Sequence, residues 1–151
     1  MGSYMSEIQA IEWESGKLKL LDQTKLPIEQ TTLELHYYRD VIDAIKQMRV
    51  RGAPAIGVVA AYAVAMAARD IQSKGHHEFM THLGESANEI ASARPTAVNM
   101  SWAVHRMLSV ANTEPDMGQI RARLVAEAKR IHEEDEQANR RIGKSGEGLI
   151  P

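Results

Sequence analysis

The run from Ala55 to Ser73 is apolar around nearly its whole circumference, and its first charges come only at Arg69 and Asp70. A surface helix carries one apolar stripe, whereas a helix apolar all round must be covered on every side by lipid or by protein. This run reads as too short, and too interrupted by Arg69-Asp70, to cross a bilayer. Protein must therefore cover it, so the chain has to supply enough other elements to wrap a central rod. Its 151 residues are sufficient for one domain that does so.

The wrapping elements are legible as a change of period. Val41, Ile42, Ile45 and Met48 form one stripe of a helix that begins near Arg39 and ends before Gly52. Gly75 breaks the central run, Glu78 to Ala93 reads as a third helix, and Ala97 to Ala111 as a fourth. The polar stretch Asn112-Thr113-Glu114-Pro115-Asp116 then leads into a long last helix. In that helix Ile120, Leu124, Ala128, Ile131, Asp135, Ala138 and Ile142 recur at three- and four-residue steps, placing one seam on the bundle. Ahead of the helices the period is two: Ile8 to Trp13, a turn at Glu14-Ser15-Gly16, Lys17 to Leu21, and Thr31 to His36. The expected fold is α+β, a small antiparallel β-meander of about three strands over residues 8–36 followed by a bundle of about five helices over 39–149. Residues 7–151 read as one domain. The start, Met1-Gly2-Ser3-Tyr4-Met5-Ser6, formally matches a myristoylation pattern at Gly2 but reads as an expression leader ahead of a start at Met5.

Composition removes several functions. With 18 Lys and Arg against 20 Asp and Glu, the chain has no cationic excess, which argues against a dedicated nucleic-acid or anionic-membrane binder. It has no cysteine, so disulfides, thiolate metal sites and a thiol nucleophile are excluded within it. No targeting signal is visible, and a cytoplasmic location follows by default.

Two short stretches carry the chemistry. Arg51-Gly52-Ala53-Pro54-Ala55-Ile56-Gly57 and Arg94-Pro95-Thr96-Ala97-Val98-Asn99 each place an arginine just ahead of a helix start. Helix N-termini present free backbone N–H groups to anions, arginine forks bind phosphate bidentately, and small neighbours let amides approach. Either stretch alone is accounted for by a plain helix start, with Pro54 in the first turn and Gly52 supplying a positive φ. Their repetition points to a two-sided clamp on a phosphorylated or carboxylated ligand. Asn99 reaches either a ligand hydroxyl or a backbone group. Asp135 falls on the apolar seam and needs a partner there, which Arg51, Arg94, Arg106 or a partner chain would supply as an ion pair under the pocket.

Other motifs carry less. Ala138 to Ser145 fits a relaxed phosphate loop but continues a helix instead of following a strand, so Gly143 and Gly146 read as loosening the helix end. His76, His77 and His82 lack metal-ligand spacing and read as solvated, and His105 and His132 are single. Glu133 to Glu136 is a solvated acidic face apart from Asp135.

The two arginine motifs, the continuation Met100-Ser101-Trp102-Ala103, and Ile131-His132-Glu133-Glu134-Asp135 together resemble the methylthioribose-1-phosphate isomerase family. The Glu12-Trp13 strand and the Leu26-Pro27 step fit the same family. The resemblance covers nearly the whole chain from Ile11 to Pro151. It implies an aldose–ketose isomerase of methionine salvage that uses neither metal nor nucleotide cofactor. It also implies that Arg51, Gly52, Ala53 and Arg94 bind the sugar-phosphate substrate, with Asn99 and Asp135 in support. Family members continue beyond Pro151 into a larger Rossmann-like C-terminal domain that carries the catalytic Cys and Asp. The resemblance thus makes this chain an isolated N-terminal, substrate-capping domain that is inactive alone, with no catalytic residue of its own. Its exposed apolar face would meet the missing domain or a second copy in a homodimer. Two alternatives stay open. One is a regulatory or assembly domain like the exchange-factor subunits of translation initiation in the same superfamily, and the other is the N-terminal domain of a ribose-1,5-bisphosphate isomerase.

Overall fold

In a computed structural model of the chain the described residues are 11–22, 31–50 and 52–149, with side chains to residue 138. The expected leader and strand start at Ile8, the Leu26-Pro27 step and Ile142's side chain lie outside them.

Alternation in the first part builds a three-stranded antiparallel sheet in the order β1 (Ile11–Glu14), β2 (Lys17–Leu21), β3 (Thr32–Leu35). Trp13 stands opposite Leu18, Leu20 opposite Leu33, and Leu18 opposite Leu35, so one face is wholly apolar. The other face carries the cross-strand pairs Lys17–Glu34 at 2.9 Å and Lys19–Glu14 at 2.6 Å. The β1–β2 turn needs only two residues because Ser15 (φ 52°) and Gly16 (φ 82°) both turn left-handed, the feature that lets a tight hairpin follow the strand twist.

Five helices follow: α1 (Tyr38–Lys46), α2 (Ala53–Asp70), α3 (His76–Ala91), α4 (Val98–Asn112) and α5 (Met117–Leu149). This is the α+β order that the periodicity predicts. Every residue of α2 from Ile56 to Ala68 is buried, enclosed by α1, α3, α4 and α5. At 18 residues and a mean hydropathy of 1.2, α2 is long and apolar enough to cross a bilayer, so shortness is not what excludes a span. The exclusion comes from coverage, since the helix is the core of the bundle. Two arginines tie the C-terminal end of α2 to its neighbours. Arg121 of α5 donates to the Ala68 and Ile71 carbonyls at 3.0 and 2.8 Å, and Arg69 reaches back to the His36 carbonyl at 2.6 Å and to that of Gly16.

Three expected features are corrected. Helix α1 stops at Lys46, and Met48 leaves the stripe, half exposed. The Met48 N–H bonds to Ile45 and the Arg49 N–H to Ala44, the paired bonds of a Schellman cap, with Met48 at the left-handed position (φ 60°) where glycine is usual. The α5 seam is buried only as far as Ile131; Asp135 is half-buried and Ala138 exposed. Gly143 and Gly146 do not loosen the helix, whose backbone remains helical to Leu149.

Candidate functional site

The N-terminal turns of α2 and α4 come together against the middle of α5. There is a close-packing reason for this: a Cβ at Gly57 would stand 3.1 Å from the Asn99 carbonyl oxygen, so glycine lets the two backbones approach. Beside that contact lies a cavity of about 430 Å³. Pro54, Gly57 and Val58 line it from α2, Val98, Asn99 and Trp102 from α4, and Ile131, Glu134 and Asp135 from α5.

Neither helix start facing this cavity has a capping side chain. Gly52 caps α2 with an extended, positive-φ backbone (φ 91°, ψ 129°), and Ala97 caps α4. The first N–H groups of both helices are therefore left for a ligand or solvent. Gly52 and Ala53 are exposed and lead directly into Pro54 at the cavity wall. Arg94 lies in the turn before α4, half-buried, and its guanidinium has no hydrogen-bond or ion-pair partner among the described residues. Arg51 lies outside the described residues. Of the residues singled out in the sequence, Asn99 and Asp135 thus meet in one cavity, and Gly52, Ala53 and Arg94 flank the helix starts that form it.

The expected Asp135 ion pair is not formed with Arg106. That guanidinium is held by Glu127 at 2.6 Å and by Glu134 through two bonds of 2.6 and 2.9 Å, and it stacks over the Trp102 ring at 5.4 Å. Among the described residues no cation pairs with Asp135. Burial pushes its carboxyl above the usual value against the opposing pull of His132, while Glu136 adds to the rise. A carboxylate in that state resists folding in its charged form, so Asp135→Asn is expected to leave the melting temperature unchanged or raise it. A clear drop on thermal unfolding would restore the ion-pair idea.

Sequence reasoning missed a second cluster, behind α2. The Tyr62 hydroxyl and His132 Nδ1 share a hydrogen bond of 2.8 Å, the Tyr62 ring stacks on Trp13 with centroids 5.0 Å apart, and His132 Nε2 lies 3.3 Å from Glu136. Burial holds the imidazole below its usual value, with Glu136 and Asp135 opposing, and burial raises the Tyr62 hydroxyl, keeping it protonated. The unfolded chain then binds a proton at His132 more readily than the folded one. This contribution to stability is complete above the ordinary histidine value of 6.5 and is lost as pH falls through the lower folded value. Thermal unfolding followed as a function of pH is expected to show that acid-side loss, and His132→Gln is expected to flatten it. The remaining histidines are peripheral: His36, His77 and His105 are exposed, His76 reaches the Glu114 carbonyl, and His82 sits between Glu78 and Glu85.

Residues 49–151 match the initiation factor 2 subunit family. Over 143 residues the chain is 46% identical to the methylthioribose-1-phosphate isomerase of Dehalococcoides mccartyi, covering 95% of this chain and 43% of that protein. It is 47% identical over 146 residues to the methylthioribose-1-phosphate isomerase of Desulforudis audaxviator, covering 95% and 41%. Among solved structures, the 5-methylthioribose 1-phosphate isomerase of Pyrococcus horikoshii superposes with a TM-score of 0.89 at 33% identity, over 94% of this chain and 40% of that one. The delta subunit of translation initiation factor eIF-2B from A. fulgidus superposes with a TM-score of 0.86 at 38% identity, over 93% and 41%. The chain thus spans about two fifths of the length of the relatives it matches.

Proposed function

The chain belongs to the initiation factor 2 subunit family, and from that membership we propose that it is the substrate-binding, capping part of a methylthioribose-1-phosphate isomerase. Its ligand is the sugar phosphate that is converted from 5-methylthioribose 1-phosphate to 5-methylthioribulose 1-phosphate. The observation that carries this reading is the meeting of two uncapped helix N-termini at one cavity, with Arg94, unpaired among the described residues, in the turn that leads into α4. Such an arrangement suits a phosphate: the amides of Gly52, Ala53 and Ala55 and the Arg94 fork donate charge-assisted hydrogen bonds, with Arg51 as a further cation. A phosphate on the anomeric carbon also blocks spontaneous ring opening, so holding it firmly is part of the chemical problem. Asn99 and Asp135 line the same cavity, where an amide and a carboxylate bind sugar hydroxyls. Moving a proton between adjacent carbons needs positioned acid and base groups. We place these in the portion of such an enzyme that this chain does not span, so the chain binds without turnover.

Titration calorimetry with methylthioribose 1-phosphate tests the reading. Binding is expected, with no isomerisation, and Arg94→Ala is expected to weaken it by about tenfold or more, as loss of a charged hydrogen bond does. Absence of binding, or a silent Arg94→Ala, would overturn it. The likeness to the eIF-2B delta subunit favours a second reading, a regulatory or assembly domain. That reading predicts complex formation with sister subunits and no affinity for the sugar phosphate.

A further inference from the structure

Asp22 is the one fully buried charged side chain among the described residues, at 0% exposure. It follows β2 directly. Its Oδ2 accepts a hydrogen bond from Arg49 Nη1 at 2.6 Å, and its backbone N–H donates to the Thr31 carbonyl at 2.8 Å, closing the base of the 23–30 connection. Arg49 is itself held, its Nε donating to Gln47 Oε1 at 2.6 Å. Burying a carboxylate is costly even when it is paired, and apolar side chains of similar volume are often as stable or more so. Stability alone therefore gives no reason for an ion pair at this place. What such a pair does supply is a fixed register between the two segments that carry it.

The identity of those segments is the informative part. Arg49 lies between two left-handed residues, Met48 (φ 60°) and Gly52 (φ 91°), in the short connection that closes α1 and opens α2. Two reversals so close together leave the path of the chain poorly determined by backbone preference alone. Among the described residues of this stretch the buried Val50 side chain and the Arg49 fork are the anchors. The connection delivers Gly52-Ala53-Pro54, where the uncapped N–H groups of α2 begin and Pro54 forms cavity wall.

We propose that Asp22 and Arg49 are positioning residues, a buried tie that holds the start of α2 where its free amides meet a bound phosphate. Their effect on a ligand rests on the anion-binding reading given above. The tie acts through the 49–52 connection and touches no ligand. Asp22→Asn keeps the shape of the side chain and removes its charge, so the connection gains freedom while the helices stay packed.

Amide hydrogen exchange resolved by residue, together with calorimetric titration of methylthioribose 1-phosphate well below the melting temperature, tests the proposal. In Asp22→Asn, exchange is expected to quicken by about tenfold or more over residues 50–55, with the middles of α4 and α5 unchanged. Sugar-phosphate affinity is expected to fall about tenfold, and Asp22→Asn added to Arg49→Gln is expected to cost little further, because both break one tie. Uniformly faster exchange across the helices would overturn the proposal, as would full additivity with Arg49→Gln or unchanged affinity despite local loosening. If the unsubstituted chain takes no sugar phosphate, the functional reading fails by itself. Exchange then still decides the tie: local quickening upholds it and uniform quickening overturns it.

Discussion

Replacing Tyr62 by alanine lowers the unfolding free energy by about 3–5 kcal/mol, the expected cost of removing a large aromatic side chain from a close-packed interior. Tyr62 is 1% exposed and lies on the central helix. Its ring stacks on Trp13 at an interplanar angle of 10° and meets the His132 ring edge-on at 5.5 Å, so one side chain joins sheet, core helix and last helix. Alanine loses all of these contacts and opens a cavity. Tyr62→Phe keeps the ring and deletes only the hydroxyl, leaving His132 Nδ1 without that partner, at an expected cost of about 1–2 kcal/mol. Urea unfolding followed by circular dichroism and by Trp fluorescence measures both. A Tyr62→Ala loss below about 1 kcal/mol would mean the stack does not join sheet to bundle.

Gly57→Val is expected to cost about 2–3 kcal/mol, and Gly57→Ala close to nothing. The contrast follows from two opposing effects. Any side chain here gains up to about 1 kcal/mol over glycine in helix propensity. Against that, a Cβ would stand 3.1 Å from the Asn99 carbonyl oxygen, a backbone atom that cannot rotate aside. A methyl group needs a shift of a few tenths of an ångström, which offsets the gain. The branched side chain of valine adds two more carbons at the α2–α4 contact and must push the helices apart. Because that contact is also cavity wall, Gly57→Val is expected to abolish sugar-phosphate binding even below its melting temperature. Denaturant midpoints and calorimetry on the two variants separate the effects; equal stabilities for Ala and Val would refute the close approach.

The order and type of the elements were legible because two periods, two in the sheet and three to four in the helices, are local properties of the chain. The α1 end was not legible, since its left-handed cap residue is Met48 and its apolar side chain extends the stripe past the true stop. Asn99 and Asp135 stood out in the sequence by their motifs, and the fold sets both in the wall of one cavity. The partner of Asp135 was not readable. Glu134 and Asp135 are adjacent in sequence yet point about 100° apart around the helix, and it is Glu134 that turns toward Arg106. His132 looked solitary because its partner Tyr62 is 70 positions away, a distance no short window can bridge.

The coverage of α2 also has a consequence in time. Its covering helices α4 and α5 lie later in the chain, and the last buried position of the α5 seam, Ile131, follows Asp70 by about 60 residues. At ~5–20 residues per second of synthesis, a helix apolar enough for a bilayer waits for several seconds before its wrapping is complete. During that interval the nascent chain displays its most adhesive segment, and a chaperone that shields Ala53–Asp70 is expected to raise the yield of folded protein more than one that acts after release.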